Sequence, residues 1–134
     1  VKKIFTIGAG ENIPGLRIVP SIKIEDLQKQ DPKFMKEKLE LCPEPEKLQS
    51  YLDDFSNFLS HELISKNVFN KIQCPVLVMA GEVDTHAPLD TVVNAYKMIP
   101  QSQLAIVANG WHTFYHENFE AAWANIKPFL CITK

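Results

Sequence analysis

The chain has 134 residues, enough for one domain with one core. Apolar residues make up 46% and charged residues 22%, the balance of an ordinary folded chain rather than a disordered one. The net charge of −2, with both signs interspersed, excludes the clustered basic surface that nucleic-acid binding needs. No apolar run approaches the roughly 20 residues of a bilayer span, so no membrane association is expected. Cys42, Cys74 and Cys131 have no C-x-x-C spacing, and they read as reduced thiols of a cytoplasmic protein.

Val1 to Ile7 is apolar and β-branched, and it ends in Gly8-Ala9-Gly10. A continuous apolar run closed by glycine fits a strand buried on both faces, as in a parallel sheet. The opening reads as this strand and not as a leader. The chain does not begin with Met, which points weakly to processing or truncation. Glu11 to Pro20 is loop, punctuated by Pro14, Gly15 and Pro20. From Ser21 the character turns helical. A short helix opens near Ile24, and a second runs from Pro32 to Leu41 with proline in its first turn. A long one is expected from about Pro45 to Ser65, where Leu48, Leu52, Phe55 and Leu59 recur at helical spacing.

The later chain alternates. A strand is expected over Pro75–Ala80, a helix over Pro88–Ile99, a strand over Gln103–Ala108 and a helix over Phe119–Leu130 with Phe119, Ala122, Trp123, Ile126 and Phe129 inward. Strand and helix in alternation imply α/β architecture: a partial doubly wound parallel sheet of about three strands. The helical stretch of about 17–70 is too long for a plain crossover and reads as a lid inserted over the strand C-termini.

Open parallel sheets place their sites beyond the strand C-termini. There the second strand delivers Asp84 and the third delivers His112, through Gly81-Glu-Val-Asp84 and Gly110-Trp-His112. An Asp after a strand is by itself more often a turn residue, and a lone His more often structural. Successive strands presenting both at one end favour the acid and base of a nucleophilic triad, in which the carboxylate fixes the imidazole tautomer. Glu82, Asp90 and Glu11 are weaker candidates for the acid. Glu11 reads as an exposed loop residue.

A metal site has thinner support. His112 and His116 are four apart and Asp84 and His86 two apart, but no H-E-x-x-H is present, so neither metal nor cofactor is expected. His86 could line a pocket mouth, while His61 reads as solvated and His116 as a surface or supporting residue. Phe34, Met35, Tyr51, Phe55 and Phe58 could line an apolar substrate pocket or simply pack the lid; the sequence favours neither.

The run Ile72-x-Cys-Pro-Val-Leu-Val-x-Ala-Gly-x-x-Asp84, then Ala87-Pro88, a helix, Ile99-Pro100, a strand and Gly110-x-His112 resembles the acid and histidine regions of the α/β-hydrolase-fold family. Asn118 to Leu130 resembles its last helix, and Val1 to Ala9 its sixth strand. The resemblance covers nearly the whole chain and implies the C-terminal part of that fold, with Asp84 as triad acid and His112 as triad histidine. Trp111 departs from the usual Gly-His pair. The family's nucleophile elbow has no counterpart: Ser21, Ser50, Ser56, Ser60, Ser65 and Ser102 all lack a strand, a Gly-framed turn and a helix around them.

The resemblance therefore implies hydrolysis of an ester, amide or related bond in a small-molecule substrate. The nucleophile would come from a missing N-terminal half, or from another chain, docked along the Val1–Ile7 edge. The 134 residues alone are expected to be inactive and not to be a free-standing monomer. The alternatives are a non-catalytic hydrolase-like module that binds a small molecule or a partner, and a small doubly wound domain unrelated to hydrolases.

Overall fold

β2, Val76–Gly81, is buried at all six positions and forms the centre of the molecule's only sheet among the described residues. A computed structural model describes residues 1–16 and 21–131. β2 alternates its side chains between two faces, as any strand must. Val76, Val78 and Ala80 enter one apolar cluster with Ala87, Val92 and Ile99. Leu77 and Met79 enter another with Ala105, Phe114, Ala122, Ile126 and Phe129. A strand with cores on both sides has no polar face to show water. Its sequence is therefore an uninterrupted apolar run.

β1, Ile4–Ile7, pairs in parallel with β2, and β3, Ser102–Val107, does so on the other side, giving the order β1-β2-β3. The expectation of a first strand buried on both faces is corrected. β1 is shorter than Val1–Ile7, and Phe5 is 45% exposed, because β1 is an outer strand. Lys3 ties its start to the last helix by donating to the Phe129 carbonyl at 2.6 Å, with its ammonium 5.3 Å from the Phe129 ring.

Parallel neighbours need long crossovers. Between β2 and β3 the crossover is α5, Leu89–Met98, which buries Thr91, Val92 and Ala95. After β3 come a single-turn helix α6, Phe114–Glu117, which the sequence did not signal, and α7, Phe119–Cys131. On α7, Ala122, Ile126 and Phe129 point inward as expected, but Phe119 and Trp123 do not. They stay substantially exposed and stack on each other, ring centroids 6.0 Å apart. The residues inward at helical spacing are already sufficient to cover the sheet, so the two large rings are left outside.

The chain divides into two units. The sheet unit comprises Val1–Asn12 and Ile64–Lys134. Its two segments are closed at Asn12 and Ile64, whose backbones exchange two hydrogen bonds of 2.8 Å. α4, Lys66–Phe69, belongs to this unit and packs near α5. The other unit, Ile13–Leu63, is wholly helical where described: α1, Ile24–Gln30; α2, Pro32–Leu41; a 3₁₀ turn, Pro45–Lys47; and α3, Leu48–His61. The expected long helix is thus shorter, because Pro45 opens a separate 3₁₀ turn and the helix ends before Glu62. Asp31 caps α2 by accepting from the Phe34 N–H at 2.9 Å, and Pro32 occupies the first turn where no N–H is missed. The start of the expected lid, residues 17–20, lies outside the described residues.

Candidate active site

The ends of β2 and β3 are sewn together beyond the ladder. Gly81 is paired with Val107 in the parallel register. Beyond it, the Glu82 N–H donates to the Val107 carbonyl and the Val83 N–H to the Gly110 carbonyl, both at 3.0 Å. The Glu82 carboxylate accepts from the Asn109 N–H at 2.9 Å. Asn109 sits at φ 55°, a left-handed conformation that asparagine tolerates. The backbones come so close that a Cβ on Gly81 would stand 2.2 Å from the Gly110 oxygen. Glycine at 81 is thus required by the approach of the two loops.

This contact delivers Asp84 and His112 to each other. His112 Nδ1 and Asp84 Oδ2 are 2.8 Å apart. A carboxylate only accepts, so Nδ1 donates, and in the neutral ring the lone pair lies on Nε2. The other oxygen, Asp84 Oδ1, accepts from the N–H groups of His86 and Ala87, each at 2.8 Å. Three donors therefore hold a carboxylate whose side chain is fully buried, while the imidazole side chain is 41% exposed. The carboxylate is fixed inside and the imidazole faces outward. That division of roles suits a group that must orient a base and a base that must meet a proton.

Gly8 completes the constellation, and no local motif marks it as a site residue. At φ +63° it turns the chain just past β1, and a Cβ there would lie 2.6 Å from His112 Cε1 and 3.3 Å from Asp84 Oδ2. The Gly8-Ala9-Gly10 run was visible as a strand end. Its contact with a residue from the opposite end of the chain was not.

The remaining candidates separate cleanly. Glu11 is corrected from an exposed loop residue to a buried one, 8% exposed, which accepts from Ser65 Oγ and from Asn94 Nδ2, the latter at 2.9 Å. It ties the first loop to α4 and α5, a structural role. Glu82 braces the Asn109 turn, and Asp90 lies in the first turn of α5. His61 is exposed on α3, with Nδ1 2.9 Å from the Asn57 carbonyl. His116 lies on α6 with its ring against Tyr115. His86 joins the pair instead: its ring centroid is 5.2 Å from that of His112.

In the helical unit, Leu27, Met35, Leu48 and Leu52 line an apolar groove of about 420 Å³, with Lys38 and Cys42 also in its lining. Of the aromatic residues weighed for a pocket, Phe34 lines this groove, while Tyr51, Phe55 and Phe58 do not and are more than 40% exposed. Among the described residues, no helix is long and apolar enough to cross a membrane.

No protein-family model and no curated protein matches the sequence. Solved structures do. The chain is similar to a meta-cleavage product hydrolase from Pseudomonas fluorescens, at 12% identity and TM-score 0.70, covering 96% of this chain and 55% of that one. It is also similar to a serine hydrolase involved in carbazole degradation, at 16% identity and TM-score 0.67, covering 99% and 55%. An esterase from Rhodococcus aligns at 14% identity and TM-score 0.60, covering 98% and 56%. The sheet with its helices is the C-terminal part of an α/β-hydrolase fold. The chain spans just over half the length of these solved hydrolases.

Proposed function

We propose that this chain supplies the acid and the histidine of a catalytic triad to an α/β-fold hydrolase. The observation that carries this reading is the 2.8 Å Asp84–His112 hydrogen bond, with the carboxylate buried and the imidazole partly exposed. His112 acts as general base through Nε2, taking the proton of a nucleophile that lies outside these 134 residues. Asp84 orients the ring and stabilises the imidazolium that forms. The nucleophile attacks the carbonyl carbon of an ester, amide or related small-molecule substrate. The bond to the alcohol or amine breaks, the leaving group takes the proton from His112, and water then hydrolyses the covalent intermediate with His112 as base a second time.

The outer edge of β1 is where the rest of the sheet, and with it the nucleophile, docks. The helical unit, placed in the chain between β1 and β2, acts as the lid. The 134 residues alone are inactive, because neither nucleophile nor oxyanion donors belong to this reading of them. The free Cys42 and Cys74 support a cytoplasmic location, where thiols stay reduced.

The test uses the intact protein that carries this chain, an acyl-ester panel and a serine-directed covalent probe. His112→Ala is expected to lower turnover by about 10²–10⁴-fold, the range for loss of a positioned base. Unchanged turnover and labelling in that variant would remove His112 from the mechanism and leave the reading of a non-catalytic binding module.

A further inference from the structure

We infer that the groove of the helical unit binds a medium-chain fatty acid, with the alkyl chain along the groove and the carboxylate on Lys38. The groove lies within one unit, and its apolar walls come from α1, α2 and α3: Leu27, then Phe34, Met35 and Leu41, then Leu48 and Leu52. Its volume of about 420 Å³ is that of a small-molecule pocket, and such pockets are mostly apolar with a few placed polar groups.

Met35 is buried, while Phe34 and Leu41 on the same helix stay 50% and 82% exposed. Apolar side chains left in water around a concave apolar surface gain by being covered, and such patches mark ligand grooves. Phe34 and Leu41 are two helical turns apart on α2, which gives an apolar track about 10 Å long. A track of that length suits an extended alkyl chain.

Lys38 is the only charged residue in the lining. Its ammonium lies 5.3 Å from the centroid of the Phe34 ring, so the positive charge stands at the Phe34 end of the track. Asp26, Glu40 and Glu44 pair instead with Lys29, Lys36 and Lys47. Among the described residues, none of the ion pairs of the helical unit includes Lys38. No acid lines the groove to repel an anion. A ligand carboxylate therefore supplies the partner that the chain does not, through a charge-assisted hydrogen bond. A neutral or cationic amphiphile of the same length gains only the apolar contact.

This binding goes beyond the proposed hydrolysis and does not rest on it. It uses residues of the helical unit alone, and no bond is made or broken.

Calorimetric titration of the intact protein with octanoate, kept below the concentration at which it self-associates, tests the site. Hexanoate, octanol and octylamine serve as comparisons. Octanoate is expected to bind, and hexanoate to bind more weakly by up to about fourfold for each methylene lost. Octanol and octylamine should bind more weakly than octanoate. Lys38→Met should weaken octanoate about fivefold, the scale of one partly solvated ion pair, and leave octanol unchanged. Lys38→Arg should retain octanoate binding. Leu41→Asp, at an exposed position where the fold tolerates a charge, should weaken octanoate by placing a like charge in the track. Lys36→Met, outside this groove, should change nothing. Absence of octanoate binding overturns the proposal, as does binding indifferent to Lys38→Met, to Leu41→Asp or to chain length, or octanol binding as tightly as octanoate. Turnover enters none of these readouts, so failure here and failure of the His112 reading are distinguishable.

Discussion

Asp84 accepts three hydrogen bonds inside the protein and His112 accepts the consequences outside it. The strength of that arrangement lies in the acid's geometry more than its charge. Asp84→Asn keeps the size of the side chain but can turn an N–H toward Nδ1, selecting the wrong tautomer. The proposed triad role predicts a loss in turnover of the intact protein of about 10⁴-fold, with the fold preserved by circular dichroism. Gly8 sets a second condition. Gly8→Ala would introduce a Cβ 2.6 Å from His112 Cε1 at φ +63°, so the ring must move or the turn must open. The expected result is a loss of activity with the Asp84–His112 proton resonance broadened or absent in NMR spectra. A variant with normal turnover and an intact resonance would show that the turn can yield without moving the histidine. At this scale the sequence disclosed Asp84 and His112, because each follows an apolar strand and a glycine. Gly8 stayed hidden, and His86 was legible only as a residue near a pocket mouth, because the contacts each makes with His112 join residues distant in sequence.

Among the elements, α6 anchors the chain just past His112. Phe114 is 1% exposed and enters the cluster beneath β2 and β3 with Met79 and Ala122, two residues after the histidine. Phe114→Ala should cost about 3–5 kcal/mol, as for other buried phenylalanines, measured by denaturant unfolding. α6 escaped the sequence reading because a single turn carries no periodicity, whereas β2 was legible from its unbroken apolar run. In the helical unit, Glu44 accepts from Lys47 and from Tyr51, the latter at 2.7 Å. Lys47 first and then Tyr51 hold the Glu44 carboxyl below the ordinary carboxylate value, while Glu44 pushes the Tyr51 hydroxyl up. The stabilisation carried by Glu44 is therefore present above its unfolded value and lost as pH falls through its folded one. That carried by Tyr51 is present below its ordinary value and lost as pH rises through its folded one. Tyr51→Phe should move the Glu44 titration upward toward the ordinary value, read from its side-chain carboxyl signal by NMR. The exposure of both groups keeps the effect on stability small.

For the molecule as a whole, the outer edge of β1 is the feature with most consequence. Phe5 is 45% exposed on it, and among the described residues no strand pairs beyond it. Unpaired strand edges recruit other strands, and β1 lacks proline or a bulge to blunt it. The 134-residue chain expressed alone is expected to elute as oligomer or aggregate in size-exclusion chromatography with light scattering. A soluble, well-folded monomer would contradict the proposed docking of further sheet along β1. Adding the proposed N-terminal half in trans should shift the chain into a defined complex.

The sequence by itself determined the α/β alternation, the parallel sheet and the two polar residues at its carboxyl end. These follow from local rules: apolar runs closed by glycine make buried strands, and helical spacing makes amphipathic helices. Only the tertiary structure decided that the Gly81 and Gly110 backbones meet, that Gly8 backs the histidine, that Glu11 is buried, and that His86 stands beside His112. Each of those facts is a long-range contact, set by how the β1, β2 and β3 ends converge, and no local pattern in the chain encodes it.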